Sequence, residues 1–179
     1  MQQQAHEAFM RRAIALARQV ALDEKIGGPF GAVVVRDGAI VGEGQARSAP
    51  ECDPTWHAEI AAIRDACRRL RTTDLAGCTM YTSCECCAMC HAACWRAGVA
   101  RIYYAGSAED TETYMRGPRL RPRGQFVLPD ADRHLPVQQL LRDEMLAVWR
   151  AYQAQASFSA SRRPGNSTGD EGGLAPCGR

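Results

Sequence analysis

Four side chains in two short motifs have the types and spacing of a catalytic metal site. His57 and Glu59 lie two residues apart in the first motif, and Cys87 and Cys90 lie three apart in the second. One imidazole and two thiolates are ligands that Zn²⁺ prefers, and catalytic zinc sites combine three protein ligands with a fourth position for water. A carboxylate beside that position can take a proton from water and pass it on. The pattern therefore predicts zinc-dependent hydrolysis with Glu59 as the proton shuttle.

Two other interpretations of the same residues stay open at this point. A structural zinc site would recruit a fourth cysteine from Cys84, Cys86 or Cys94, but it would leave Glu59 without a role. A Cys-x-x-Cys pair can also serve redox chemistry, although the upstream His-x-Glu motif argues against this use. Five of the nine cysteines crowd residues 84–94, and metal binding explains that clustering better than disulfides do.

The hydrophobic pattern predicts the elements that must position these residues. We predict helices over residues 7–22, 57–71, 88–96 and 139–153, and strands over 30–35, 39–44, 78–82 and 101–105. Asp37-Gly38 is expected to form the turn of a hairpin between the first two strands. Strands that alternate with helices indicate an α/β protein with a three-layer α/β/α sandwich.

Both ligand sets are expected at helix N-termini. Asp53 is a good N-cap and Pro54 suits the first helical position, which would place His57 in the first turn of its helix. Cys87 precedes the predicted helix over 88–96. The partial positive charge of a helix start favours thiolate over thiol, which lowers the cost of assembling an anionic site.

The composition is typical of one soluble globular domain. The chain has 179 residues, of which 46% are hydrophobic and 23% charged, and its net charge of +2 neither indicates nor excludes a nucleic-acid binder. We expect one catalytic domain over residues 1–156. Residues 157–179 are rich in Ser, Gly, Pro and Arg, and we expect a disordered tail or an arm that a partner orders.

The N-terminus has no signal-peptide pattern, and no apolar run is long enough to span a bilayer. A cytoplasmic location without membrane contact is therefore expected. Residues 116–123 carry four arginines that could grip RNA phosphates, but the aromatic residues of a single-strand binding platform are missing. An exposed polar loop is favoured, and nucleic acid is not the expected partner.

The paired motifs resemble the signature of the zinc-dependent cytidine/deoxycytidylate deaminase superfamily. Within it, the chain is most similar to bacterial guanine deaminases, through residues 27–35, 42–45, 53–55 and 81–85. The resemblance implies a cytidine deaminase-like fold with a mixed five-stranded sheet and Zn²⁺ as the cofactor. It also implies a small nucleobase-like substrate, with guanine converted to xanthine as the first expectation, and a homodimer whose C-terminal segment helps to close the partner's pocket.

The resemblance assigns roles to individual residues. His57, Cys87 and Cys90 match the zinc ligands of the family, and Glu59 matches its proton shuttle. Asp110 falls where guanine deaminases carry a second catalytic carboxylate, although it could equally be a helix cap. The base-binding set is predicted to contain an aromatic residue that stacks on the base and three neighbours of the metal motif: Phe30, Ala46, Trp56 and Ala58.

The chain also departs from the family pattern. Cys86 and Ala88 replace prolines on either side of the first zinc cysteine, Trp56 replaces a small residue, and Ala46 stands where a base-binding Asn is usual. Loss of a designed hydrogen bond can change the accepted substrate. Other purines, pterins, pyrimidines, triazines, nucleosides and tRNA adenosine therefore stay open as substrates, and a structural zinc module is the non-enzymatic alternative.

Overall fold

Helices and strands alternate along the chain in a computed structural model that describes residues 2–115 and 137–161, with side chains for 3–115 and 137–155. The helices are α1 (Gln2–Arg18), α2 (Ala58–Leu70), α3 (Ala88–Arg96), α4 (Ala108–Tyr114) and α5 (Arg142–Ser161), and a π-helical turn (Gln19–Asp23) continues α1. The strands are β1 (Gly31–Arg36), β2 (Ala39–Gln45), β3 (Thr79–Cys84), β4 (Arg101–Gly106) and β5 (Val137–Gln139).

The strands form one mixed sheet in the order β2-β1-β3-β4-β5. β1 pairs antiparallel with β2 and β3, whereas β3, β4 and β5 run parallel. Successive side chains of a strand point to opposite faces, so Val33 packs with α1 and α5 while Val34 packs with α2 and α3. The predicted three-layer sandwich with a mixed five-stranded sheet is confirmed.

Two glycines of β2 let α2 lie directly on the sheet. A Cβ atom on Gly44 would lie 2.1 Å from the carbonyl oxygen of Ala58, and one on Gly42 would lie 2.5 Å from that of Ala62. Only hydrogen fits at these positions. The first turn of α2, which carries Glu59, is therefore held against β2 by backbone contact.

Several predicted elements are confirmed and others differ in their bounds. The β1–β2 hairpin and α3 form where the pattern predicts them. α1 begins at Gln2, five residues early, because Gln and Ala extend a helix readily even outside its apolar stripe. β5 was not predicted from the pattern, since three residues are too few to show a period of two.

The start of α2 corrects the sequence-based prediction. α2 begins at Ala58 and not at Pro54, and its N-cap is His57. The Asp53 carboxylate instead accepts hydrogen bonds from the backbone N–H and the hydroxyl of Thr55, at 2.7 and 2.6 Å. Asp53 therefore closes a local turn, as short acidic side chains often do.

The structure describes only part of the predicted C-terminal tail and none of the predicted arginine loop. α5 extends to Ser161, five residues past the expected domain boundary at 156. Residues 116–136 and 162–179 lie outside the described part of the chain, so the arginine loop over 116–123 and the tail beyond 161 stay predictions. None of the described helices combines the length and apolarity needed to cross a bilayer.

Candidate active site

The ligand atoms of His57, Cys87 and Cys90 converge between the starts of α2 and α3. The Nδ1 atom of His57 lies 3.6 Å from Cys87 Sγ and 3.5 Å from Cys90 Sγ, and the two sulfur atoms lie 3.6 Å apart. Tetrahedral zinc with ordinary bond lengths requires edges of about 3.8 Å between two sulfurs and about 3.6 Å between nitrogen and sulfur. The donor set and its spacing therefore fit Zn²⁺.

This group contains three protein ligands. Among the described side chains it is the only cluster of His, Cys, Asp or Glu that could hold a metal ion, and no fourth ligand joins it there. A structural zinc site of the Cys₃His kind would need one. Within the described residues, the arrangement matches the pattern with an open fourth position.

Both His57 and Cys87 occupy the N-cap position of a helix. Their backbones are extended, with φ −79° and ψ 157° for His57 and φ −70° and ψ 168° for Cys87, and neither side chain makes a capping hydrogen bond. An N-cap side chain ordinarily accepts from a backbone N–H of the first turn. Here the two side chains approach each other instead, and the positive end of α3 favours negative charge on Cys87.

The two thiols share one hydrogen bond, and that bond sets their charges. The hydrogen bond between Cys87 and Cys90 is the main reason that the pKa of Cys87 is lowered to about 3, with His57 adding to the effect against the opposing effect of burial. The same hydrogen bond, together with burial and the nearby Glu59 carboxylate, raises the pKa of Cys90. The arrangement therefore favours the thiolate form of Cys87.

Glu59 lies beside the ligands without being one of them. It is the second residue of α2 and is only 6% exposed, and its Oε2 atom accepts a hydrogen bond from Cys90 Sγ at 3.4 Å. A carboxylate held at this position by a helix has the rigid support that a proton relay requires.

The remaining cysteines of the cluster are built into the core. Cys84, Cys86 and Cys94 are at most 3% exposed. A hydrogen bond with Cys94, together with complete burial, raises the pKa of Cys86 and keeps it a neutral thiol. Cys84 Sγ lies 3.0 Å from the hydroxyl of Thr111. These three side chains therefore behave as packing residues.

The predicted base-binding residues form a backbone strip that leads to His57. The N–H of Ala46 donates to the carbonyl of Phe30 at 3.0 Å, and the N–H of Arg47 donates to the carbonyl of Trp56 at 3.2 Å. Trp56 directly precedes His57 in the chain. These backbone hydrogen bonds thus connect Phe30 and Ala46 to the segment that enters His57.

The side chains of this strip have different surroundings. The Phe30 ring meets Trp149 edge to face at 6.3 Å between centroids, whereas the Trp56 ring lies under the Arg64 guanidinium at 5.2 Å. Ala58 is buried at the start of α2. Their roles in binding a base stay predictions.

Asp110 is the third residue of α4 and takes part in a capping box with Ser107. Its carboxylate accepts from the backbone N–H and the hydroxyl of Ser107, both at 2.9 Å, and from the guanidinium of Arg142. Burial disfavours the charged form, but the hydrogen bonds from Arg142 and Ser107 outweigh it and lower the pKa of Asp110. The helix-cap interpretation describes this position, and a catalytic role for Asp110 stays a prediction.

Sequence reasoning assigned no role to Glu85, which fastens the loop before α3. Its carboxylate accepts from the N–H of Ala108 at 2.9 Å, and its own N–H donates to the carbonyl of Gly106 at 2.8 Å. These bonds tie the segment entering Cys87 to the start of α4. The position of Glu85 two residues before Cys87 was the one feature of the sequence that could have indicated its role.

A mixed sheet between two helical layers, with a His/Cys/Cys group and a carboxylate at two helix starts, defines the class of zinc-dependent nucleobase deaminases. The family model of the cytidine and deoxycytidylate deaminase zinc-binding region matches residues 3–106. The chain belongs to this family.

Three relatives show how the similarity is distributed. Guanine deaminase of Bacillus subtilis strain 168 is 40% identical over 153 residues, which cover 83% of this chain and 94% of that protein. The solved structure of guanine deaminase from Nitrosomonas europaea has 32% identity and a TM-score of 0.69, covering 83% of this chain and 84% of that one. The tRNA-specific adenosine deaminase of Agrobacterium fabrum strain C58 is 40% identical over 96 residues, which cover 54% of this chain and 62% of that protein.

Proposed function

We propose that this protein is a zinc-dependent hydrolase that converts guanine to xanthine and ammonia. One observation carries the proposal: the 40% identity to a guanine deaminase extends over 94% of that relative. The geometry of His57, Cys87, Cys90 and Glu59 supports it, because these side chains provide a zinc-binding group with an adjacent buried carboxylate.

The zinc ligands in this proposal are His57 Nδ1, Cys87 Sγ and Cys90 Sγ. The chemistry that zinc supplies when bound there is acidification of water, whose pKa falls from 15.7 toward about 7, so that a nucleophile exists at neutral pH. The helix starts at His57 and Cys87 fix two of the ligands on rigid elements, which limits the reorganisation needed during the reaction.

Glu59 carries the protons. Its carboxylate takes one proton from the attacking water and delivers it to the ring nitrogen next to the amine-bearing carbon. The new carbon–oxygen bond makes that carbon tetrahedral. Glu59 then transfers the second proton of the water to the departing amine, because ammonia leaves readily only when its nitrogen is protonated. The carbon–nitrogen bond breaks, and Glu59 ends as it began.

The backbone strip of Phe30, Ala46 and Trp56 is the proposed base-binding surface. An aromatic face at Phe30 suits stacking on a planar base. Ala46 provides no side-chain donor or acceptor, so hydrogen bonds to the base must come from backbone groups or other side chains. We propose Asp110 as a contact of the substrate amine only in second place, since Ser107 and Arg142 engage its carboxylate.

The test is ammonia release from a panel of substrates by the zinc-loaded protein. The panel contains guanine, adenine, cytosine, guanosine and a tRNA anticodon stem-loop. We expect guanine to be the best substrate and xanthine to appear in equal amount. Turnover of another base in preference to guanine would reject guanine as the substrate, but it would still support the proposed hydrolytic deamination.

The Glu59→Gln variant tests the proton relay in the same assay. We expect one zinc per chain, an unchanged circular dichroism spectrum and loss of turnover by a factor of at least about 10² to 10⁴, the range for general acid–base catalysis. Glu109→Gln is the matched control, because it removes an exposed carboxylate from α4. Retained turnover in Glu59→Gln would place the shuttle elsewhere.

Deamination of adenosine in tRNA is the second candidate, favoured by the 40% identity over 96 residues to a tRNA-specific adenosine deaminase. Binding to a stem-loop would depend steeply on salt, because each neutralised phosphate releases counterions. A free-base enzyme should be nearly indifferent to salt. KM measured across a salt series therefore separates the two candidates.

We propose a homodimer as the functional assembly. Trp95 on α3 is 68% exposed, and aromatic residues are enriched at protein interfaces relative to the rest of the surface. Sedimentation equilibrium of the native protein and of Trp95→Ser tests this, and a native monomer would reject it. The cytoplasmic location stays a prediction.

A further inference from the structure

A cavity lies at the opposite end of the sheet from the metal-binding group. Its volume is about 660 Å³. The lining residues come from the first turns of α1, from the parallel strands and from the residue after β5: Gln3, His6, Thr79, Arg101, Tyr103, Gln138 and Leu140. Thr79 and Arg101 are the first residues of β3 and β4, whereas Cys87 follows the last residue of β3. The cavity is therefore separate from the site described above.

The strand register explains why these side chains share one face. Thr79 is paired with Arg101, and Tyr103 is paired with Gln138. Positions two apart on a strand point to the same side, so Arg101, Tyr103, Thr79 and Gln138 all project toward the layer of α1 and α5. α1 closes the cavity from above with Gln3 and His6.

The cavity has an unbalanced positive charge. Arg101 contributes the positive charge, and no Asp or Glu is found in the lining among the described residues 3–115 and 137–155. Within residues 3–115 and 137–155, no hydrogen bond or ion pair of Arg101 is found, whereas Arg11 and Arg12 each pair with a glutamate. The nearby Glu7 carboxylate is already engaged by Arg11 and by the amide of Gln3.

His6 lines the same cavity as Arg101, and two tyrosines hold its ring in place. Its Nδ1 atom lies 2.6 Å from the Tyr81 hydroxyl, and its ring lies 4.8 Å from that of Tyr103. Burial raises the pKa of Tyr81 to about 12, so the hydroxyl keeps its proton and can donate it to Nδ1. The remaining ring nitrogen, Nε2, then carries the hydrogen and is a donor.

We propose that this cavity binds the phosphate group of a small phosphorylated metabolite, with Arg101 as the principal anion contact. A planar guanidinium matches phosphate oxygens with two parallel donors. The volume lies within the range of about 300 to 1,000 Å³ that small-molecule sites occupy. Because Leu140 is the only aliphatic residue that the described part of the chain contributes to the lining, the remaining space suits a hydroxylated group such as a sugar better than an apolar one.

The experiment is isothermal titration of the full-length protein with ribose 5-phosphate, inorganic phosphate and ribose at low ionic strength. We expect ribose 5-phosphate to bind more tightly than phosphate, and ribose not to bind. Arg101→Gln should weaken ribose 5-phosphate binding by about tenfold or more, the value of a charge-assisted hydrogen bond. Arg18→Gln is the matched control, since it removes an exposed positive charge from the far end of α1.

Three outcomes would overturn the proposal. They are no binding of the phosphate ester, equal weakening by Arg101→Gln and Arg18→Gln, and equal affinity for the ester and inorganic phosphate. The last outcome would show that the cavity does not hold the organic part. Because Arg101 is exposed and far from the metal-binding group, its variant should keep the native fold and deaminase turnover, which circular dichroism and ammonia release check. The site does not depend on the proposed substrate.

Discussion

Replacement of Gly44 by alanine tests whether backbone contact between β2 and α2 positions Glu59, the proposed catalytic carboxylate. The new Cβ atom would lie 2.1 Å from the carbonyl oxygen of Ala58 and 2.4 Å from the backbone nitrogen of Ala62. Real Cβ contacts below 3.0 Å are essentially never seen, so the start of α2 must move by about 0.9 Å. Both clashing atoms belong to the helix backbone, so a rotamer change cannot relieve them.

The expected result is a large loss of turnover with a moderate loss of stability. Ala58 lies between His57 and Glu59, so the displacement is passed to a proposed zinc ligand and to the proposed proton shuttle. Misplacement of a catalytic group by 1 Å can lower a rate by about 10²-fold. Overpacking of this kind costs about 1 to 3 kcal/mol of folding free energy. We therefore expect kcat to fall by about two orders of magnitude in a protein that still folds.

Two control variants separate position from stability. Gly42→Ala brings a Cβ atom to 2.5 Å from the carbonyl oxygen of Ala62, one turn further along α2, and should lose similar stability with a smaller loss of kcat. Gly38→Ala meets no atom within 4 Å but has a φ of +74°, so it adds only backbone strain of about 1 kcal/mol. The assays are ammonia release, zinc content and urea unfolding. Equal kcat in Gly44→Ala and Gly42→Ala would refute the reasoning.

Three further predictions concern specificity, charge and the metal. Ala46→Asn should raise kcat/KM for guanine by up to about tenfold, and unchanged kinetics would remove Ala46 from the specificity argument. Arg142→Gln should lower the urea midpoint at pH 7. Since the pKa of Asp110 is lowered from 3.8, the Asp110–Arg142 ion pair stabilises the fold fully above that value and loses its effect as the pH falls through the lowered pKa. The urea midpoints of the native protein and the variant should therefore converge in acid. A difference between the midpoints that stays constant with pH would contradict this assignment. Chelation of zinc should lower the melting temperature and abolish turnover, with both restored by added zinc, and an unchanged melting temperature would show that the ion contributes nothing to the fold.

The sequence predicted those parts of the fold whose cause is local. The hairpin followed from Asp37-Gly38 between two apolar runs, and α3 followed from its pattern up to Gly98, which has a φ of +79° as a helix-ending glycine often has. The family and the architecture were confirmed by comparison with known proteins. The metal-binding group was predictable because ligand type and spacing are specific even without a fold.

The start of α2 and the role of Asp110 depended on which of two possible partners a side chain binds in the folded protein. Asp53 has the chemistry of a helix cap, but Thr55 is nearer, and the helix started later than predicted. Asp110 offered two interpretations because a carboxylate near a helix start suits either a cap or a catalytic group. The bonds from Arg142 to Asp110 and from Ala108 to Glu85 join residues 32 and 23 positions apart. No local pattern predicts such pairings.

In the proposed mechanism, the metal-binding residues are attached to helices and the proposed base-binding residues lie on the strip before them, which separates chemistry from selectivity. Substitutions at Ala46 or Trp56 can reshape what is accepted while α2 and α3 keep the reactive machinery in place. Such a scaffold allows substitutions at a few tolerant positions to change which heterocycle is bound. The same division makes these positions the natural place to randomise when an altered deaminase is wanted.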